Sequence, residues 1–445
     1  MCARKPRLRS QAKSLPQAMR EFLTPAVFKQ VRKAASHRKQ PRWDVHPLLY
    51  VLLLSTWCVG DSLPEKFELA RGYYAVCCPK RKRPGKSFAG FEKAITRLPM
   101  PVLRALSTAL RSRILAIFGH RLFCHGFIPL GCDGTQIECP RSETSEQRVG
   151  TSGKQGSAPK IWNTSIVHLT LGIPWCWWWG RGGKASERKH LMHMISWLPR
   201  RALVVADAGY VGYEVVRKLI ETKVQFLIRM SSNALFYTEQ NTHLDRFREG
   251  VVFYWPDVIR KQGKPPLRGR LIRITSRDHK DVWLFTNVEN ARRLPTETAS
   301  QFYRWRWENE GFFRTYKRML KKVKLSSRTL RGAHREAEGS MIATQLLLCQ
   351  GALAMQVSCT KNETPAMCSP RSVLLEIRRA MRDQYLFGEF GRRLASAKRE
   401  RRDRRTPKTK RIWPGRKKHK PPNPPRILRL REERKPRVPQ NLIAA

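Results

Sequence analysis

Three patterns of apolar and polar residues follow one another along the chain. From about residue 14 to 120 the pattern is helical, in LPQAMREFLTPAVFKQVRKAA, HPLLYVLLLSTWCV, SLPEKFELARGYYAV and MPVLRALSTALRSRILAIF, with Pro and Gly as punctuation and a basic loop at CCPKRKRPGKS. Shorter apolar runs then take over. FIPLGCDGTQIECP predicts a strand over Phe127 to Cys132 that ends in Asp133 and a Gly-Thr turn. WNTSIVHLTLGIPWCWWWG reads as β-rich, a helix follows near Glu187 to Leu198, and ALVVADAGY predicts a buried strand, Ala202 to Ala206, delivering Asp207 into a Gly turn. A helix from about Tyr213 and a strand, VQFLIRM, complete a mixed α/β order.

The stretch from about Ser231 to Val288 is strand-like throughout, in ALFYTEQ, VVFYWPDVI, LRGRLIRIT and DVWLFTNV. Helical periodicity returns in YRWRWENEGFFRTYK, Tyr303 to Lys317, and in RGAHREAEGSMIATQLLLCQGALAM, a helix expected to cover the sheet. From Gly391 to Pro439 the chain is largely Lys, Arg and Pro, a block expected to be disordered. These shifts predict a helical domain over 1–120, a mixed α/β domain over 121–360 with a β-rich stretch at about 231–288, and a basic region over 361–445. The helical domain either grips DNA or buttresses the core.

Charge narrows the partner. The chain carries 88 Lys+Arg against 34 Asp+Glu, a formal net charge of +54, which draws it onto DNA or RNA at physiological salt. A hydrophobic share of 41% argues against a mere polycation. The eleven cysteines show no C-x-x-C pair and no zinc spacing, and they read as free thiols in a reducing compartment. No targeting segment precedes the first helix, and the apolar run Pro47 to Gly60 is too short to cross a bilayer. A cytoplasmic, nucleoid-associated location without membrane contact is the expectation.

Candidate chemistry sits in three places. On a helix of 3.6 residues per turn, Tyr303, Arg306, Glu310 and Lys317 fall on one stripe at offsets of 0, 3, 7 and 14. Such a face offers a carboxylate beside two cations and a hydroxyl, or else an amphipathic surface whose charges simply pair. Asp133 and Asp207 are strand-end aspartates, each either a turn residue or an acidic ligand. Two aspartates and a later glutamate can converge on a pair of divalent cations. Glu308 would face roughly 160° from Glu310 on the helix, and Glu138 lies five residues beyond Asp133, so both read as structural. The run Trp175-Cys176-Trp177-Trp178-Trp179 either stacks on bases or packs a strand against the core, and His168 and His190, without ligand spacing, read as structural.

With these residues in place, the chain resembles the DDE transposases of bacterial insertion sequences, in particular the insertion-sequence-four type. Their signature Y-x2-R-x3-E-x6-K is matched by Tyr303, Arg306, Glu310 and Lys317; D-x-G-[YF] by Asp207-Ala208-Gly209-Tyr210; and the Gly-[ST] after the first aspartate by Asp133-Gly134-Thr135. The likeness runs from about residue 120 to about 355. It implies an RNase-H-like catalytic core with a β-rich insertion, and Asp133, Asp207 and Glu310 as catalytic ligands of two Mg²⁺ ions, with Mn²⁺ able to substitute. It implies DNA contacts by Tyr303, Arg306, Lys317 and Arg229, and a Trp283 that stacks on a flipped base. For Trp283 an ordinary strand-core role stands beside that reading. The implied activity is cut-and-paste transposition: cleavage at the element's ends, through a hairpin intermediate, and transfer of 3′ ends into target DNA by a homodimer in a synaptic complex. A non-catalytic DNA-binding descendant, or a Mg²⁺-dependent nuclease without strand transfer, is the alternative.

Overall fold

A computed structural model describes residues 14–35, 43–150, 156–182, 185–239, 246–275, 281–355, 368–383, 389–397 and 423–430. In chain order its elements are α1 (Leu15–Phe22), α2 (Pro25–Ala35), α3 (Val45–Trp57), α4 (Leu63–Cys77), α5 (Phe88–Arg97), α6 (Met100–Phe118), β1 (Ile128–Glu138), α7 (Glu143–Val149), β2 (Lys160–His168) and β3 (Pro174–Arg181). They continue with α8 (Glu187–Met194), β4 (Ala202–Ala206), α9 (Tyr213–Glu221), β5 (Gln225–Met230), β6 (Leu235–Thr238), β7 (Glu249–Tyr254), α10 (Asp257–Lys261), β8 (Leu267–Ile274) and β9 (Val282–Thr286). The last are α11 (Thr296–Trp305), α12 (Glu308–Arg314), α13 (Leu330–Ala354), α14 (Pro370–Asp383), α15 (Glu389–Ala395) and β10 (Arg426–Arg429). The architecture is mixed α/β, with a large sheet and helices. Two compact units divide it: a first of Met1–Cys124, Gly134–Ser186 and Trp307–Arg399, and a second of His125–Asp133, Glu187–Arg306 and Glu400–Ala445.

The first unit is organised around α13. This helix starts where the Thr329 hydroxyl accepts the Gly332 N–H, and from Ala337 to Ala352 every residue is buried, so it is a core helix rather than an amphipathic cover. The helices expected to form a domain of their own pack on it. The Trp57 indole donates to the Ala343 carbonyl at 3.2 Å, and Arg335 Nε donates to the Leu98 carbonyl at 2.9 Å. The antiparallel pair β2–β3 brings the tryptophan run to the same helix. Trp177 and Trp179 each donate an indole N–H to Glu338 of α13 at 2.9 Å, so of the two alternatives for that run these two residues take strand packing. Burial pushes the Glu338 carboxyl up, and the two indole donors oppose the rise.

In the second unit the strand order is β10-β6-β7-β8-β9-β5-β4-β1. Strands β1, β4 and β5 are parallel, and their continuous apolar runs suit strands buried on both faces. The β-rich stretch forms the antiparallel meander β6 to β9, and it extends the same sheet through the β5–β9 pairing.

Four expectations need correction. Strand β1 does not end at Cys132 but runs on to Glu138, through Gly134 and Thr135, because backbone pairing continues where side-chain chemistry suggested a turn. The helix expected to run unbroken from Tyr303 to Lys317 is three pieces: α11 ends at Trp305, α12 begins at Glu308, and Thr315–Met319 is a π-helix. Wider π turns and the break at 306–307 cancel the 3.6-residue arithmetic, so periodicity no longer places the four signature side chains on one stripe. The basic C-terminal block is not wholly without structure, since β10 pairs in parallel with β6, and Leu430 packs with Leu235, Tyr237 and Phe253. An edge strand presents unpaired backbone groups, and Arg-Ile-Leu-Arg satisfies them. Finally, Cys124 is disulfide-bonded and not a free thiol; spacing in sequence carries no information about sulfur proximity. Among the described residues no helix is long and apolar enough to cross a membrane.

Candidate active site

Parallel register places the two aspartates. In the second unit β1 pairs with β4 from Ile128↔Ala202 to Cys132↔Ala206, and the parallel ladder stops there. Asp133, within β1, and Asp207, one residue past β4, each follow the last paired residue, so they stand level at the carboxyl end of the β1–β4 ladder. Ligand chemistry in α/β sheets gathers at that end. Both side chains are half-buried.

Asp207 is held from two directions. One carboxylate oxygen accepts the Gly209 N–H at 3.3 Å, capping the 3₁₀ turn Ala208–Tyr210, while the other lies 3.9 Å from Arg306 Nη2. The turn is tied down in turn by Arg188 of α8, whose Nε donates to the Gly209 carbonyl at 2.9 Å. Arg306 has 7% of its side chain exposed against 45% for Asp207, so the pair is a buried cation facing a solvated anion. Its guanidinium lies over the Tyr303 ring, 5.6 Å from the centroid. The Tyr303 hydroxyl is buried and finds no hydrogen-bond partner among the described residues. Beneath Asp133 lies Tyr210, 1% exposed, whose hydroxyl is pushed well above its usual value by burial first and then by Cys132, Glu187 and Asp133. It stays protonated as a neutral floor to the aspartate pair.

The second unit therefore brings together Asp133, Asp207, Arg306 and Tyr303. Glu310 and Lys317 belong to the first unit. Glu310 is exposed on the first turn of α12, its N–H donating to the Trp307 carbonyl at 3.1 Å. Lys317 is half-buried in the π-helix. Burial and the charge of Lys160 push its ammonium below the usual lysine value, and Glu138 opposes that shift. Glu138, the last residue of β1, also exchanges backbone hydrogen bonds with Val323 and Leu325. Among the described residues no three His, Cys, Asp or Glu side chains are gathered closely enough to hold a metal ion. The donor set at the end of the ladder is thus two hard carboxylates, which fits Mg²⁺, an ion that takes one or two carboxylates from protein and completes its shell with water and substrate phosphate.

Arg229 of β5 lies opposite Leu284, half-buried. Trp283 of β9 is 4% exposed, with the Phe247 ring 6.0 Å away and the Arg273 guanidinium 5.4 Å from its centroid. It sits here as a strand-core aromatic, so stacking on a base requires Arg273 and Phe247 to move aside. Two residues that shape the aspartate pair escaped the sequence. Tyr210 was visible only as part of the Asp207 context, and Arg188 left no signal in a chain so rich in cations.

Residues 133–346 match the Transposase DDE domain family. The matched span begins at Asp133 itself, and it supports a transposase function for the chain. No curated protein matches it significantly. Among solved structures the chain is similar to a piggyBac transposase in a synaptic complex with hairpin DNA, with 11% identity, a TM-score of 0.42, and coverage of 86% of this chain and 82% of that one. A likeness that weak carries no argument about mechanism.

Proposed function

We propose that this chain is a cut-and-paste DNA transposase of the insertion-sequence-four type with an RNase-H-like core, acting at the ends of its own element. The observation that carries the reading is the level placement of Asp133 and Asp207 just past the end of the β1–β4 ladder, inside the span that matches the transposase domain. Asp133, Asp207 and Glu310 would hold two Mg²⁺ ions, or Mn²⁺ in their place. Bound there, such ions activate the attacking hydroxyl and neutralise charge on the entering and leaving oxygens. Arg306 holds the Asp207 carboxylate in place until the site is loaded. Lys317, with Tyr303 and Arg229, supplies donors to end DNA, and Trp283 takes up an unstacked base once Arg273 withdraws. Unstacking costs a few kcal/mol and base–aromatic stacking returns roughly 1–3 kcal/mol. In this reading the helices of 1–120 contact the ends, two copies pair in a synaptic complex, and the protein works at the bacterial nucleoid.

The test is Mg²⁺-dependent cleavage of DNA carrying the element's terminal repeats, resolved on denaturing gels so that hairpin-capped ends are seen. Wild type is expected to cut, and Asp133→Ala, Asp207→Ala and Glu310→Ala each to lose at least a thousandfold in rate while binding the same DNA. A variant that still cuts removes its residue from the site. Repeat-DNA binding by a wild type that never cuts would support the non-catalytic descendant instead, and cutting without joined products the simple nuclease.

A further inference from the structure

The first unit contains a cavity of about 230 Å³ walled by α3, α4, α5, the segment after the π-helix, and the start of α13. Its interior is aromatic. Phe67 and Phe91 stack with centroids 5.1 Å apart, and Phe88 meets Phe67 edge-on at 5.9 Å. Its rim is cationic, with Lys66, Lys321, Lys322 and Arg378 against only two carboxylates, Glu92 and Glu336. One of those carboxylates is already committed. Glu336 pairs with Lys322 at 2.6 Å and also accepts the Ser326 and Ser327 N–H groups. Arg378 is likewise occupied, donating from Nε to the Trp57 carbonyl at 2.8 Å. Lys66 and Lys321 remain, and among the described residues neither has a carboxylate within salt-bridge distance. Lys66 is half-buried, and burial together with the charges of Lys322 and Lys321 pushes its ammonium below the usual value, against the opposing charge of Glu336.

A half-buried ammonium next to like charges is costly unless an anion joins it. The ligand such a rim favours is therefore anionic, and the ligand such an interior favours is flat and apolar. The volume lies just under the ~300–1,000 Å³ of typical small-molecule pockets, which admits one ring system and not two. We infer that this cavity binds a single nucleotide, its base against Phe67 and Phe91 and its phosphate on Lys66 and Lys321. The inference draws on the DNA reading only for the source of the nucleotide; a free nucleotide or one extruded from a strand presents the same chemistry.

Calorimetric titration of the full-length protein at physiological salt, where loose surface association is screened, tests it. The probes are thymidine 5′-monophosphate, thymidine, inorganic phosphate and a short oligothymidylate. Lys66→Gln removes the anion contact, and Thr96→Phe fills the cavity from its wall without changing charge; thermal unfolding checks that both variants fold. Thymidine monophosphate is expected to bind wild type at least tenfold more tightly than thymidine or phosphate, and each variant to lose at least tenfold. Tighter binding by oligothymidylate, lost in the same variants, identifies a strand as the source, and equal binding identifies a free nucleotide. Phosphate binding as well as the nucleotide, or nucleotide affinity unchanged in both folded variants, overturns the proposal. Asp133→Ala separates the two readings, because it is expected to abolish cleavage and leave nucleotide binding intact.

Discussion

His168 shows how one residue's surroundings decide its chemistry. Its Nε2–H donates to the Leu122 carbonyl at 2.9 Å, and its Nδ1 accepts the N–H groups of Thr170 and Leu171 at 3.3 Å. Those contacts select the neutral ring. Burial lowers its pKa to about 4, and buried His190 and His46 are likewise pushed down, to about 4 and about 3. A base whose folded pKa lies below its unfolded value stabilises the fold above the unfolded pKa and destabilises it as pH falls. The unfolded chain binds more protons throughout that interval. Each ring should therefore subtract up to about 1.4 kcal/mol per pH unit as pH drops below about 6.5. Urea unfolding is expected to show a falling midpoint between pH 6.5 and pH 5, before most carboxylates titrate. A flat midpoint across that window would refute the neutral, buried assignment. His168 and His190 read as structural in the sequence, but the depth of their burial is not encoded in spacing.

At the scale of elements, the signature segment and α13 make opposite points. The Y-R-E-K spacing is legible in the sequence, but the α11–α12 break and the π-helix are not. Helix α13 is legible as a helix, but its full burial is not. Gly339 marks that burial: a Cβ there would stand 2.6 Å from Leu52 Cδ2 and 2.8 Å from its Cγ, on α3. Gly339→Ala would gain about 1 kcal/mol of helix propensity, against about 1–3 kcal/mol for forcing a packed leucine to shift. A net loss of stability, read as a lower Tm, is expected; a rise would mean that α3 and α13 yield easily. The same contact explains why helices that looked like a separable domain are integral to the first unit. Their apolar faces need α13, which lies more than two hundred residues later in the chain.

For the whole molecule the governing quantity is the net charge of +54. Every phosphate neutralised by a Lys or Arg releases condensed counterions, so affinity for arbitrary duplex DNA should fall steeply with salt, by about 10³ or more between 50 and 200 mM. Residues 398–422 are densely cationic, and replacing their Lys and Arg by Gln should lower the slope of log K against log salt. Filter binding across a salt series measures both, and an unchanged slope would show that this segment makes no phosphate contacts. The sequence determined the charge, the mixed α/β order and the β-rich stretch between Asp207 and Glu310, because these follow from local pattern and composition. Only the tertiary structure decided that Asp133 and Asp207 stand level, that Arg306 faces Asp207, that Trp283 is covered, and that β10 pairs with β6. Those are facts of register and packing, set by side chains that meet across long stretches of chain, and no window of residues contains them.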